Sequence, residues 1–194
     1  MSSQRLRLLI LCEDRLQQEF IERLADRWAV GPRQRTVLTA PAAQGSGAKF
    51  VLDNYVDFVR RWRSLRHDGN VGAIVIIDGD EKGILRRRQE FAALIHAAGE
   101  SALDADDPRF AIVIPCWHIE TWIAWLCGHR PVDERTCYKP GDPHGAAVAH
   151  KIKSRDYSTR LAVKSWTPPV TDEASQVPSL ASARQELRRL GVIA

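Results

Sequence analysis

Four acidic side chains follow apolar runs of the sequence where buried strands would end, three of them at once and the fourth one turn into the next helix. These acids are Glu13, Asp78, Asp80 and Glu120. Gathering several carboxylates in one place is unfavourable unless a cation neutralises them. Oxygen ligands suit Mg²⁺ or Mn²⁺, and such an ion can orient a water and stabilise the charge on a phosphate. The acids therefore predict a divalent metal site, provided that the fold brings them together.

Each acid also has a structural alternative. One glycine separates Asp78 from Asp80, so both carboxylates can reach the same ion, but Asp-Gly-Asp is also good turn chemistry. We favour the metal site for this pair, because both acids end a fully apolar run. Glu13 would be a further ligand or the general acid/base. For Asp14 we favour a helix cap.

The elements that would position the acids alternate along the chain. Short apolar runs predict buried strands at residues 5–12, 35–40, 71–77 and 110–116. Amphipathic patterns predict helices at residues 15–28, 49–66, 84–98, 118–127 and 179–190. This order indicates an α/β fold with a parallel, Rossmann-like sheet of about four strands and helices on both faces. Ligands bind beyond the carboxyl ends of such strands, so distant acids should meet at one edge.

The C-terminal third lacks this pattern. Residues 131–178 are rich in Pro, Gly, Lys and His and are predicted to be irregular. We therefore expect a domain over residues 1–130 and an extension over residues 131–194 that packs on it. With 194 residues, 44% hydrophobic and 27% charged, the chain can bury a core of its own.

The charge of the chain is compatible with a nucleic-acid partner. The net charge is +4 and the pI is about 9.0, and residues 144–164 are strongly basic. A solvated surface is the alternative for all of these cations. The candidates for phosphate contacts are Lys49, Lys82, Arg86, Lys151 and Lys153.

Aromatic and histidine side chains lie close to Glu120. Trp117, Trp122 and Trp125 could stack on bases, although the spacing of the last two favours core packing. His118 could transfer protons or bind metal, and an ordinary hydrogen-bonded role is the alternative.

The sequence predicts a cytoplasmic protein without a membrane partner. The first apolar run is too short for a signal peptide and meets Glu13 and Asp14 at once. No segment approaches the ~20 apolar residues of a membrane span. The four cysteines form no CxxC pair, so we interpret them as reduced thiols.

Together these motifs resemble the Toprim domain, in which a glutamate follows the first strand and an Asp-x-Asp pair follows the third. The stretch CEDRLQQEF is similar to the opening of small Toprim-like nucleases related to OLD-type nucleases, and IPCWHIETWIAW (residues 114–125) is similar to their later acidic segment. The resemblance covers roughly residues 6–127. The usual glycine after the first glutamate is Asp14 here.

This resemblance implies a Toprim-like fold, Mg²⁺ dependence and hydrolysis of DNA or RNA. It assigns Asp78 and Asp80 as metal ligands, Glu13 as acid/base or ligand, and Glu120 as a further acidic position. Similar families act in phage or mobile-element defence, often beside an ATPase partner.

Two other functions fit the same residues. One is a non-catalytic Toprim-fold module that binds or regulates a partner such as an ATPase, which Asp14 in place of glycine would favour. The other is a phosphoacceptor receiver domain, against which Asp80 and the C-terminal third argue.

Overall fold

The fold is built around a parallel sheet of four strands. A computed structural model describes residues 6–41, 46–67, 70–104, 107–145, 155–166 and 173–190. Its strands are β1 (Arg7–Cys12), β2 (Arg35–Thr39), β3 (Val71–Ile76) and β4 (Phe110–Val113). Their order is β2-β1-β3-β4, and every neighbouring pair is parallel. The predicted α/β class with about four parallel strands is confirmed.

Four helices connect and cover the strands. They are α1 (Arg15–Arg27), α2 (Gly47–Leu65), α3 (Gly83–Ala97) and α4 (Ile119–Leu126). Their ends lie within two residues of those predicted. Strand β4 ends three residues before the predicted position, at Val113. The hydrogen bonding to the neighbouring segment nevertheless continues beyond it, since the Pro115 carbonyl accepts from the Gly79 N–H at 2.9 Å.

The sheet buries a hydrophobic cluster on each face, following the two-residue period of its strands. In β1, Leu8 and Ile10 pack into the cluster that contains α1 and α4, whereas Leu9 and Leu11 pack into the cluster that contains α2 and α3. All six residues of β3 are buried. A strand covered on both faces appears in sequence as an unbroken apolar run, which is why β3 was predictable.

Besides a helical stretch at residues 143–145, the C-terminal third contains three helices whose ends are both described. They are α5 (Arg155–Ser165), α6 (Glu173–Gln176) and α7 (Pro178–Arg189). The prediction of irregular structure over residues 131–178 was therefore wrong for α5 and α6. Helix α5 has few apolar residues, and its packing rather than its own pattern favours the helix: Ala162 and Val163 are buried in the same cluster as α1.

The extension and the sheet share one hydrophobic cluster. Trp166 meets Phe20 of α1 edge to face, with ring centroids 5.7 Å apart. The predicted domain boundary at residue 130 stays a prediction.

No helix among the described residues has the length and apolar character needed to cross a membrane. All four cysteines are free thiols, of which Cys12 is buried and the other three are half-buried.

Candidate metal centre

The carboxyl ends of β1 and β3 lie level with each other at one edge of the sheet. Cys12, the last residue of β1, pairs with Ile76, the last residue of β3. The chain continues from these points to Glu13 and to Asp78. The Glu13 carboxylate accepts a hydrogen bond from the Asp78 N–H at 3.0 Å. Two acids separated by 65 residues in sequence are thus brought into contact, as predicted from the parallel topology.

The Asp-Gly-Asp loop after β3 is bonded to the segment after β4. The Asp80 N–H donates to the Trp117 carbonyl at 3.0 Å. A Cβ atom on Gly79 would lie 2.2 Å from the Cys116 carbonyl oxygen, so only glycine permits this approach. Asp80 has a φ of 49°, in the left-handed region that aspartate tolerates better than most residues. This close packing brings His118 to the two aspartates.

Asp78 is the buried centre of the site, with 2% of its surface exposed. Its Oδ1 accepts hydrogen bonds from Gln17 Nε2 at 2.8 Å and from the Ile119 N–H at 3.2 Å. Its Oδ2 lies 3.3 Å from His118 Nδ1. Burial raises the pKa of Asp78, and the positive charge of Lys139 opposes that rise. A buried carboxylate with a raised pKa favours binding either a proton or a cation.

Three side chains form the group that could hold a metal ion. Ligand atoms of Asp78, Asp80 and His118 all lie within 4.8 Å of one another, and His118 Nδ1 is 3.3 Å from Asp80 Oδ1. Burial lowers the pKa of His118, an effect to which the charge of Lys139 adds, so the ring is held in the neutral form that binds metals. Two carboxylates and one imidazole are groups that could together hold a divalent metal ion.

Glu13 lies beside this group of three and is not a member of it. Burial raises the pKa of Glu13, and the charge of Asp78 raises it further. The amino end of α2 packs directly on this side chain: a Cβ on Gly47 would lie 2.4 Å from Glu13 Cγ. The position suits a group that exchanges protons beside an ion. Its role as catalytic group or ligand stays a prediction.

Glu120 lies in the first turn of α4 and is buried, with 7% of its surface exposed. Burial raises its pKa, as does the nearby charge of Asp78. Among the described residues Glu120 is not one of the three whose ligand atoms converge. Its predicted role as a metal ligand stays a prediction.

Asp14 caps helix α1, the interpretation we favoured from the sequence. Its side chain accepts a hydrogen bond from the Gln17 N–H at 2.8 Å. Its backbone is extended, with a φ of −148°, a conformation open to any residue. Aspartate at this position therefore causes no backbone strain.

Two residues that hold the site were missed in the sequence. Gln17 is fully buried: besides its bond to Asp78, its Oε1 accepts the Glu13 N–H at 3.0 Å. Arg87 donates from Nε to the Asp78 carbonyl at 2.9 Å and from Nη2 to Asp80 Oδ2 at 2.8 Å. Its position four residues before Phe91, on the buried stripe of α3, would have distinguished it from its arginine neighbours.

The predicted phosphate-binding residues near the site are at the surface. Arg86 and Lys82 are exposed, and Lys82 forms an ion pair with Glu90. Lys82 also lines a cleft of about 300 Å³, together with Asp80, Trp117 and His118. The cleft thus opens onto two of the three ligands, Asp80 and His118.

The other predicted phosphate contacts lie elsewhere. Lys49 is exposed on α2 and pairs with Asp53 one turn along the same helix. Lys151 and Lys153 fall outside the described residues. A cation missed in the sequence, Lys139, acts electrostatically on Asp78, His118 and Glu120.

The fold and the site together define an α/β protein with a parallel, Rossmann-like sheet and an Asp-Asp-His group at its carboxyl edge. Comparison of the chain with family models, with curated proteins and with solved structures finds no match.

Proposed function

We propose that this protein is a metal-dependent nuclease that hydrolyses phosphodiester bonds in DNA or RNA. The proposal depends on one observation: Asp78, Asp80 and His118 converge beside Glu13, at the edge of the sheet where α/β proteins bind ligands. The resemblance to small Toprim-like nucleases points to the same chemistry, with a role in phage or mobile-element defence.

The donor set fits a divalent cation that accepts both oxygen and nitrogen ligands. Two aspartates supply oxygen atoms, and a neutral imidazole supplies nitrogen. The pKa of Asp78 is raised by burial, which marks a negative charge that a cation would stabilise. Mg²⁺ or Mn²⁺, when bound, would activate a water and neutralise charge on the phosphate.

The chain's own residues would hold the Asp78 carboxylate in position and exchange a proton beside the reacting water. Asp78 is held by Gln17 and by the amino end of α4, so its carboxylate is oriented before any ligand arrives. Glu13, with a pKa raised by burial, is placed to take up or release a proton beside the reacting water. Lys82, which lines the cleft beside Asp80 and His118, would contact a flanking phosphate, and Arg86 is exposed on the helix that follows.

A cleavage assay tests the proposal. Circular and linear DNA, single-stranded DNA and RNA are each incubated with the protein in Mg²⁺ or Mn²⁺. We expect metal-dependent cleavage by the wild type and a loss of roughly a hundredfold or more in the Asp78→Ala, Asp80→Ala double variant and in His118→Ala. The matched control is Asp57→Asn, an acid with 83% of its side chain exposed on α2, which should cleave as wild type does.

The proposal fails if the double variant cleaves as fast as the wild type, because the activity would then belong to another site or a contaminant. It also fails if no substrate is cut in either metal.

One observation favours a second function, a non-catalytic module that binds or regulates a partner such as an ATPase. The Arg87 guanidinium already bonds Asp80 Oδ2 and thus neutralises part of the acidic charge without a metal. In this case Mn²⁺ would neither bind at the site nor raise the melting temperature, and no cleavage would occur. Cleavage that depends on Asp78 excludes this alternative.

A further inference from the structure

A second cavity lies on the α2–α3 face of the sheet, away from the acidic site. Its volume is about 330 Å³, and its walls include Tyr55 of α2, Phe91 and Ile95 of α3, and Phe110 of β4. Phe110 begins β4, so the cavity extends toward the amino ends of the strands, opposite the carboxyl edge. Neither the metal-binding group nor Glu13 lines it. Its aromatic walls are typical of small-molecule pockets.

The hydroxyl of Tyr55 has no hydrogen-bond partner among the described residues. Tyr55 is 1% exposed, and its ring packs on Phe91 with centroids 4.2 Å apart. Burial raises the pKa of Tyr55, so the hydroxyl stays protonated and remains a donor. A donor without a protein partner beside a cavity indicates where an acceptor atom of a ligand would bind.

The charged groups around the cavity argue against an acidic ligand. Arg88 is paired with Glu186 across the space between α3 and α7. Glu100 accepts from Arg60 and Arg63, which compensate its charge. Asp104, another lining residue, is exposed. A ligand carboxylate would be repelled by Asp104, and Arg88 is already paired with Glu186.

We propose that this cavity binds a small, uncharged heteroaromatic molecule, whose ring packs among Tyr55, Phe91 and Phe110 and whose acceptor atom bonds the Tyr55 hydroxyl. This site does not depend on the proposed nuclease activity. The ring of the ligand would pack against the aromatic side chains of the walls in stacked and edge-to-face contacts. A ring nitrogen or carbonyl of the ligand would accept a hydrogen bond from the Tyr55 hydroxyl.

Two probes of the same shape test the proposal. Quinoline and naphthalene have equal numbers of ring atoms, but only quinoline has an acceptor nitrogen. Each is titrated into the ¹⁵N-labelled full chain and followed by amide chemical shifts. We expect quinoline to bind the wild type roughly two- to tenfold more tightly than naphthalene, the effect of one hydrogen bond. Shifts should occur at amides around Phe91 and Phe110.

Three variants locate the binding. Tyr55→Phe should bind both probes equally and keep the wild-type melting temperature, since the hydroxyl has no protein partner to lose. Ala92→Trp, at an exposed lining position, should abolish binding of both probes, whereas its neighbour Ala93→Trp, exposed and outside the lining, should bind as wild type does.

Several results would overturn the proposal. These are no binding of either probe, equal affinities in the wild type, a quinoline preference that survives Tyr55→Phe, or undiminished binding by Ala92→Trp. Each of them leaves the cleavage assay at Asp78 unaffected, so the two proposals fail separately.

Discussion

At the scale of single residues, the site depends on side chains that bond the acids rather than on the acids alone. Asp78 is oriented by Gln17 and the Ile119 N–H, and Asp80 by Arg87. Unpaired buried charges are costly, so each carboxylate needs such a partner or a cation. The residues that orient a site therefore affect both its stability and its affinity for metal.

Replacing Arg87 tests this dependence. Arg87→Met removes a guanidinium that is 3% exposed and bonds Asp80, Glu90 and the Asp78 carbonyl. We expect the free energy of unfolding to fall by about 2–4 kcal/mol, because charged groups lose a buried partner. Mn²⁺ should restore part of this loss by taking the place of the cation beside Asp80. Denaturant unfolding with and without Mn²⁺ measures both effects.

The control for this change is Arg86→Met, one residue earlier on the exposed face of α3. It should stay within about 0.5 kcal/mol of the wild type. Equal losses in the two variants would show that Arg87 has no special part in holding the loop.

At the scale of elements, two glycines allow backbone segments to approach the acids. Gly47 begins α2 against Glu13, and Gly79 lies against the Cys116 carbonyl. Gly79 has an ordinary φ of −69°, so it is required by lack of space rather than by backbone conformation. The loop after β3 and the segment after β4 are thereby locked together, which places His118 beside Asp78 and Asp80.

Two glycine substitutions distinguish a glycine that is required by the closeness of a neighbouring atom from one that is required by its backbone conformation. Gly79→Ala should push the loop from residues 115–118, lower the melting temperature and abolish Mn²⁺ binding. Gly99→Ala has no neighbour within 4 Å but a φ of +68°, so it should cost about 1 kcal/mol through backbone strain and leave Mn²⁺ affinity unchanged. Calorimetric titration with Mn²⁺ distinguishes them; unchanged binding in Gly79→Ala would contradict this account of the loop.

At the scale of the whole molecule, the C-terminal third is joined to the sheet domain by a buried polar connection as well as by apolar packing. The Glu134 carboxylate accepts hydrogen bonds from the Ser179 N–H at 3.1 Å and from its hydroxyl. The same hydroxyl accepts from Trp122 Nε1 of α4 at 2.7 Å. Helices α4 and α7 are therefore held together through one serine.

This connection predicts a pH dependence of stability. Burial raises the pKa of Glu134 above its value in the unfolded chain, so folding favours the protonated form. The contribution of protonated Glu134 to the stability of the fold is fully present below the pKa of Glu134 in the unfolded chain. It is lost as the pH rises through the pKa of Glu134 in the folded chain. Glu134→Gln keeps an acceptor and cannot ionise. Its stability should therefore match the wild type at about pH 4 and exceed it at about pH 8.

Urea unfolding of both proteins at the two pH values measures this difference. Glu81→Gln, at an exposed position, is the control and should follow the wild type at both. A Glu134→Gln variant that gains no stability over the wild type as the pH rises would contradict the burial argument.

The sequence alone determined the alternation of elements, the parallel sheet and the meeting of Glu13 with Asp78. These follow from local patterns: continuous apolar runs predict buried strands, and parallel strands end at a common edge. The helical pattern of α1 likewise predicted its bounds, and the position of Asp14 predicted its cap.

Only the tertiary structure decided which side chains complete the site. His118 joins Asp78 and Asp80 because Gly79 packs on the segment after β4, a contact between residues almost 40 positions apart. Helix α5 forms where packing against α1 outweighs a weak local pattern. Local periodicity records which face of an element is buried, but it does not record which distant residue that face will meet.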